Sequence, residues 1–142
     1  MGLLTLAVAL AVASNVLYHV SQKSIPGDAH PLASLTVTYL VALVVTLLLW
    51  PLFPSEGPAL RSLGRLNWAS YTVGVAIVGV EAGILLAYRG GLRVSVGSTT
   101  VNVAVALLLI PVGILFFRER LSFADAAGVV LCLAGLVLIV GR

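Results

Sequence analysis

"LASLTVTYLVALVVTLLLWPLF", from Leu32 to Phe53, contains no Asp, Glu, Lys or Arg. A membrane-spanning helix needs about 20 predominantly apolar residues, and this run supplies them. Outward from it, one similar run precedes, Gly2 to Val20, and three follow, Trp68 to Tyr88, Val94 to Phe117 and Phe123 to Val140. The intervening stretches read "SQKSIPGDAHP", "PSEGPALRSLGRLN", "RGGLR" and "RERLS". Each carries charge, Gly or Pro, as a water-facing turn does. The expected fold is all-α, a polytopic membrane bundle of five transmembrane helices, with residues 1–142 forming a single domain.

Composition supports the same class. Of 142 residues, 61% are hydrophobic and 9% charged, whereas a soluble domain has about 45–50% apolar and about 25% charged residues. The net charge of +3 comes from a few residues between apolar runs, so it describes membrane flanks and not a nucleic-acid surface. The lipid bilayer is the expected surrounding, and nucleic acid is not an expected partner. The first run could be mistaken for a signal peptide because "ALAVASN" offers small residues, but no Lys or Arg precedes it. Cys132, the single cysteine, lies in an apolar run and reads as a small packing residue. No His/Cys spacing suits a metal, and no nucleophile elbow or phosphate loop is present, so neither a cofactor nor an enzymatic activity is expected.

Basic residues ought to orient the spans, but they balance. Arg61, Arg65, Arg118 and Arg120 fall on the side of the N-terminus, and Lys23, Arg89, Arg93 and Arg142 fall on the other. The positive-inside rule then sets no preferred orientation. Two readings fit: accidental balance in a chain with few basic residues, or insertion in both directions.

One acid interrupts the third run, in "VGVEAGILLAYRGG" from Val78 to Gly91. Glu81 lies about 3 residues past the middle of its span, hence about 4–5 Å from the midplane at 1.5 Å per residue. A charge there costs about 2.5–3.5 kcal/mol on insertion scales, so such groups usually face a bundle interior or a wet cavity. Asn102 falls at a similar depth in the fourth span. Asn15, Tyr18 and His19 near the end of the first span, and Thr36, Thr38 and Tyr39 near the start of the second, belong to the same side. These residues are expected to line a half-membrane vestibule.

Ser95, Ser98 and Asn102 follow i, i+3, i+7 spacing, and Gly74, Glu81 and Tyr88 recur every seventh residue. Gly79 and Gly83 flank Glu81 at GxxxG spacing, which allows a second backbone to come close. Two roles fit Glu81: a protonated, hydrogen-bonded link between helices, or a group that takes up and releases a proton or binds a cation. His19 reads as an interfacial histidine or a proton relay. Trp50, Trp68, Tyr71 and Tyr88 read first as interfacial anchors, with Tyr71 and Tyr88 also able to line a substrate path. Pro111 withdraws a backbone donor from the fourth span and predicts a bend or a hinge there. Glu119 is expected to pair with Arg118 or Arg120, and Asp125 to sit in the first turn of the last helix, where the dipole favours an acid. Ala124, Gly128, Cys132 and Gly135 form a small-residue face suited to tight helix packing.

The closing stretch, "FFRERLSFADAAGVVLCLAGLVLIVGR" from Phe116 to Arg142, joins two spans through E-R-L-S and ends in a helix with spaced glycines and L-I-x-G. It resembles the end of an EamA domain of the drug/metabolite transporter superfamily. "ASNVLYHVSQKSIPGDAHPLASLTVTYLVALVVTLLLW" is similar to that domain's opening helix, short loop and second helix, although an Arg frequent in the family's second helix is absent and Tyr39 lies nearby. The resemblance covers essentially the whole chain. It implies one five-helix half of a fold that commonly carries two halves of opposite topology, and hence pairing as an inverted repeat in an antiparallel homodimer. It also implies a secondary transporter or exporter of a small organic metabolite, in a prokaryotic inner (plasma) membrane. The residues then expected at substrate binding or proton coupling are Glu81, Asn102, Asn15, Tyr18, His19, Tyr39, Ser98 and Tyr88. A non-transport membrane subunit that binds a partner protein or lipid is the competing reading.

Overall fold

The computed structural model describes residues 2–53, 63–118 and 122–140. Over these residues it is helical, without strands: α1 (Gly2–Ser24), α2 (Pro31–Leu49), α3 (Trp68–Arg89), α4 (Val94–Phe117) and α5 (Phe123–Val140), with a 3-10 turn at Trp50–Leu52 following α2. Four stretches, Gly2–Ser24, Pro31–Leu52, Trp68–Arg89 and Val94–Phe117, are long and apolar enough to cross a membrane. The 18 residues of α5 stand at the short end of the usual range of about 17–25. Leu, Val and Phe side chains point outward along most of each helix. Against lipid tails that exposure carries no penalty, because the tails are as apolar as leucine.

Local chemistry explains the helix limits. α1 continues to Ser24, one turn beyond the apolar run, and stops before Pro26, whose ring disfavours helical backbone at Ile25. Lys23 lies in that last turn, where a cation complements the helix dipole. α2 opens with Pro31 at a first-turn position behind an extended His30, a place where the missing N–H is not needed. Pro51 ends its regular ladder. The Trp50 N–H bonds to the Leu47 carbonyl and the Phe53 N–H to the Trp50 carbonyl, both tighter i−3 links. The Asn67 side chain accepts from the Ala69 N–H at 3.0 Å and caps α3. After α3 the chain turns through Gly91, whose φ of +95° lies in the region open to glycine. α4 runs through Pro111 as one helix and ends at Arg118 in the left-handed conformation.

α5 begins with a reciprocal cap stronger than the dipole alone. Asp125 accepts from the Ser122 N–H at 2.8 Å and from its hydroxyl at 2.7 Å, and the Asp125 N–H returns a bond to Ser122 Oγ. The pairing expected for Glu119 lies outside the described residues. Threonine hydroxyls within the spans are met locally: Thr36, Thr38, Thr46, Thr72 and Thr99 each donate to the carbonyl four residues earlier, at 2.8–3.1 Å.

The chain divides into two compact units, Met1–Val20 with Gly90–Arg142, and Ser21–Arg89. In the first α4 packs on α5, and in the second α2 packs on α3.

Candidate functional site

In the unit Ser21–Arg89 the buried side chains concentrate towards the end of α3. Glu81, Ile84, Leu85 and Tyr88 are its buried residues, and their i, i+3, i+4, i+7 spacing makes them one face. α2 contributes buried Leu35 and, one turn on, half-buried Tyr39. Tyr39 and Glu81 are close enough to interact electrostatically. The last turn of α1 adds Gln22, which is buried, and Lys23.

Two cations fasten this end of the unit. The Lys23 ammonium donates to the Tyr88 carbonyl at 2.9 Å and lies 5.7 Å from the centre of the Tyr88 ring. A helix leaves its last carbonyls without intrahelical donors, and a lysine placed there meets one of them and favours the dipole. The Arg89 guanidinium reaches the Pro26 carbonyl in the α1–α2 loop at 3.3 Å.

Four polar atoms in this unit are buried without a hydrogen-bond partner among the described residues: Glu81 Oε2, Gln22 Oε1, the Tyr39 hydroxyl and Arg89 Nε. A buried polar group left unpaired costs about 1–3 kcal/mol, so each requires an explanation. Glu81 is only 7% exposed and Gln22 only 5%.

The close backbone approach expected at Gly79 and Gly83 does not occur among the described residues. A Cβ added at either would meet nothing within 4 Å, and the same holds at Gly128 and Gly135 of α5. Cys132 is exposed on that helix. These small-residue faces are open to lipid or to another molecule.

The unit Met1–Val20 with Gly90–Arg142 holds the two asparagines. Asn15 of α1 and Asn102 of α4 line one open cavity of about 420 Å³ with Val8, Ala11, Val12 and Val16. The α1 positions share a face by their i, i+3, i+4, i+7, i+8 spacing. A volume of that order suits a small organic molecule, and two carboxamides among valines give an apolar groove with few polar contacts. Tyr18 and His19 stack edge to face with ring centres 5.2 Å apart, and His19 is buried. Ser98 turns its hydroxyl back to the Ser95 carbonyl at 3.4 Å. The Thr100 hydroxyl is buried without a partner among the described residues.

The eight residues expected at the site therefore fall in two groups. Tyr39, Glu81 and Tyr88 lie in one unit, and Asn15, Tyr18, His19, Ser98 and Asn102 in the other. The sequence reading missed Gln22 as a buried group and Lys23 as a cap. Its only available signal was that α1 could continue past its apolar run, since Ser21, Gln22 and Lys23 contain no helix breaker.

No curated protein and no solved structure matches the chain. Helices of membrane-spanning length, a buried carboxylate within one of them and an asparagine-lined groove fit a membrane transporter. The model of the EamA-like transporter family matches residues 2–141, and the chain belongs to that family.

Proposed function

We propose that the chain is a secondary transporter or exporter of a small organic metabolite, working by alternating access as an antiparallel homodimer in a prokaryotic inner membrane. The observation that carries this reading is Glu81, an acid buried within a span of a transporter-family chain, with one oxygen that meets no hydrogen-bond donor among the described residues. Such a group is costly unless a proton, a solute or a partner meets it during the working cycle. Glu81 takes that role here, beside Tyr39 and Tyr88. Asn102 and Asn15 supply hydrogen bonds to the solute in their groove, with Ser98, Tyr18 and His19 around them. The equal basic counts on the two sides support the inverted pairing, in which a single five-helix domain serves as each half.

A second reading has one observation behind it. The faces at Gly79, Gly83, Gly128 and Gly135 are open among the described residues, and a non-transport subunit would use such faces to bind a partner helix or lipid.

Flux separates the two readings. Purified protein in liposomes, without another protein, moves a specific solute if the transport reading holds; the lack of flux across a broad solute screen sinks it. Asn102→Ala weakens solute binding by about 1–2 kcal/mol through one lost hydrogen bond. Reporters fused after Arg142 label both membrane sides in the unmodified protein, and two lysines added to one set of loops drive the population one way. A single fixed orientation in the unmodified protein removes the antiparallel dimer.

A further inference from the structure

The groove shared by Asn15 and Asn102 is distinctive in what its wall lacks. Asn15 lies about 3 Å from the middle of α1 and Asn102 about 5 Å from the middle of α4, at 1.5 Å per residue. Both carboxamides are therefore at hydrocarbon depth, and both are exposed to whatever fills the cavity. Val8, Ala11, Val12 and Val16 make the rest of the wall, and no charged side chain lines it among the described residues. Neither helix brings one along its length in this unit, since residues 2–20 and 94–117 contain no Asp, Glu, Lys or Arg.

That wall decides which occupant is tolerated. A carboxylate or an ammonium at this depth loses hydration and meets no opposite charge from the wall, a penalty that carboxamides offset only in part. An acyl chain or a wholly apolar solute covers the valines but leaves both carboxamides unmet. An uncharged solute with an apolar body and a polar edge meets both demands. Each asparagine offers N–H donors and a carbonyl acceptor, so the best-matched edge carries both kinds of group. A primary carboxamide does so in a single planar unit.

We propose that the Asn15–Asn102 groove selects uncharged, amide-like solutes and rejects their anionic and cationic isosteres. This deepens the transporter reading and rests on it. An uncharged solute brings no charge for Glu81 to pair with, which leaves that acid, in the other unit, to the coupling proton.

The test uses the full-length protein and four probes that share one aromatic ring: benzamide, benzoate, benzylammonium and N,N-dimethylbenzamide. Affinity is read at neutral pH from thermal stabilisation of purified protein, and flux from liposomes. The wild type binds benzamide about tenfold or more tighter than either ion, and about threefold tighter than the dimethyl amide, which keeps the acceptor and lacks the donors. Asn102→Leu and Asn15→Leu each bring the ratio between the two amides to about one. Binding of either ion as tight as that of benzamide overturns the proposal, and so does binding of none of the probes. An undiminished amide ratio in both assembled leucine variants overturns it too. If Asn102→Leu disperses the dimer and benzamide does not bind the wild type, a second copy fills the groove and the proposal falls. The wild-type series remains decisive even if a variant does not assemble. Flux of a charged solute without benzamide binding overturns this inference and leaves transport standing. Selective benzamide binding with no flux of any solute does the reverse.

Discussion

The two halves of α3 have similar apolar composition and opposite fates. From Trp68 to Val80 nearly every side chain is exposed, with Val75 at 76%. From Glu81 to Tyr88 one face is buried, and Leu85 is fully enclosed. Both halves contain valine, isoleucine or leucine, alanine and glycine, so hydrophobicity does not distinguish them. What differs is the presence of Glu81 and of Tyr88, whose carbonyl receives the Lys23 ammonium. In a bilayer the lipid satisfies leucine as well as another helix does, so association follows packing fit and hydrogen bonds. The core of this unit accordingly gathers around polar and aromatic groups, which inverts the habit of soluble proteins.

Substitutions along α3 can break that contrast, and the largest effect is expected at its acid. Glu81→Gln keeps size and hydrogen-bonding capacity while removing the ionisable group. Solute flux in liposomes should lose its pH dependence altogether, while folding persists. Val75→Ala, in the exposed half, should leave flux unchanged. Full pH-dependent flux in correctly assembled Glu81→Gln protein would make the acid a structural link, and the two halves would then differ in packing alone.

A smaller effect separates adjacent residues on opposite faces. Leu85→Ala should destabilise the folded protein by about 2 kcal/mol through the cavity it leaves, whereas Leu86→Ala, at a residue 56% exposed, should cost less than about 0.5 kcal/mol. Unfolding in mixed micelles measures both. Equal losses would mean that the inner face is no better packed than the lipid-facing one.

The smallest effect belongs to the cap at the end of the buried half. Lys23→Met removes a cation from the C-terminus of α3 and should cost about 0.3–1 kcal/mol, with the loss falling as salt is raised in the wild-type comparison. A salt-independent loss would assign Lys23 a packing role through its aliphatic stem.

Much of this architecture is readable in the chain because span length is a one-dimensional property. The expected starts of the third, fourth and fifth helices at Trp68, Val94 and Phe123 agree with the observed ones. α1 runs to Ser24 and not to Val20, because Gln22 and Lys23 find places against other parts of the fold and need not leave the helix. The second span reaches Leu52, but only as a 3-10 turn after Leu49, since Pro51 removes a donor. Glu81 stood out because a charge within an apolar run is visible from its neighbours alone. The cap formed by Lys23 did not, since its partner lies 65 residues away and a lysine just past an apolar run reads in sequence as an ordinary loop residue. GxxxG spacing at Gly79 and Gly83 records which face is smooth, but not what covers it.

The back-bonded threonines bear on how the protein is assembled during synthesis. Thr36, Thr38, Thr46, Thr72 and Thr99 give their hydroxyl protons to their own helices. Each therefore enters the hydrocarbon with its donor already engaged, and a nascent segment carrying it can partition into lipid by itself. Gln22, Tyr39 and Glu81 have no such local recourse for the atoms left unmet in the fold. Their dehydration has to wait until the neighbouring helices have arrived. The side chains thereby separate an early, solitary stage of insertion from a later, collective one, and the later stage is where a carboxylate within the membrane first becomes tolerable.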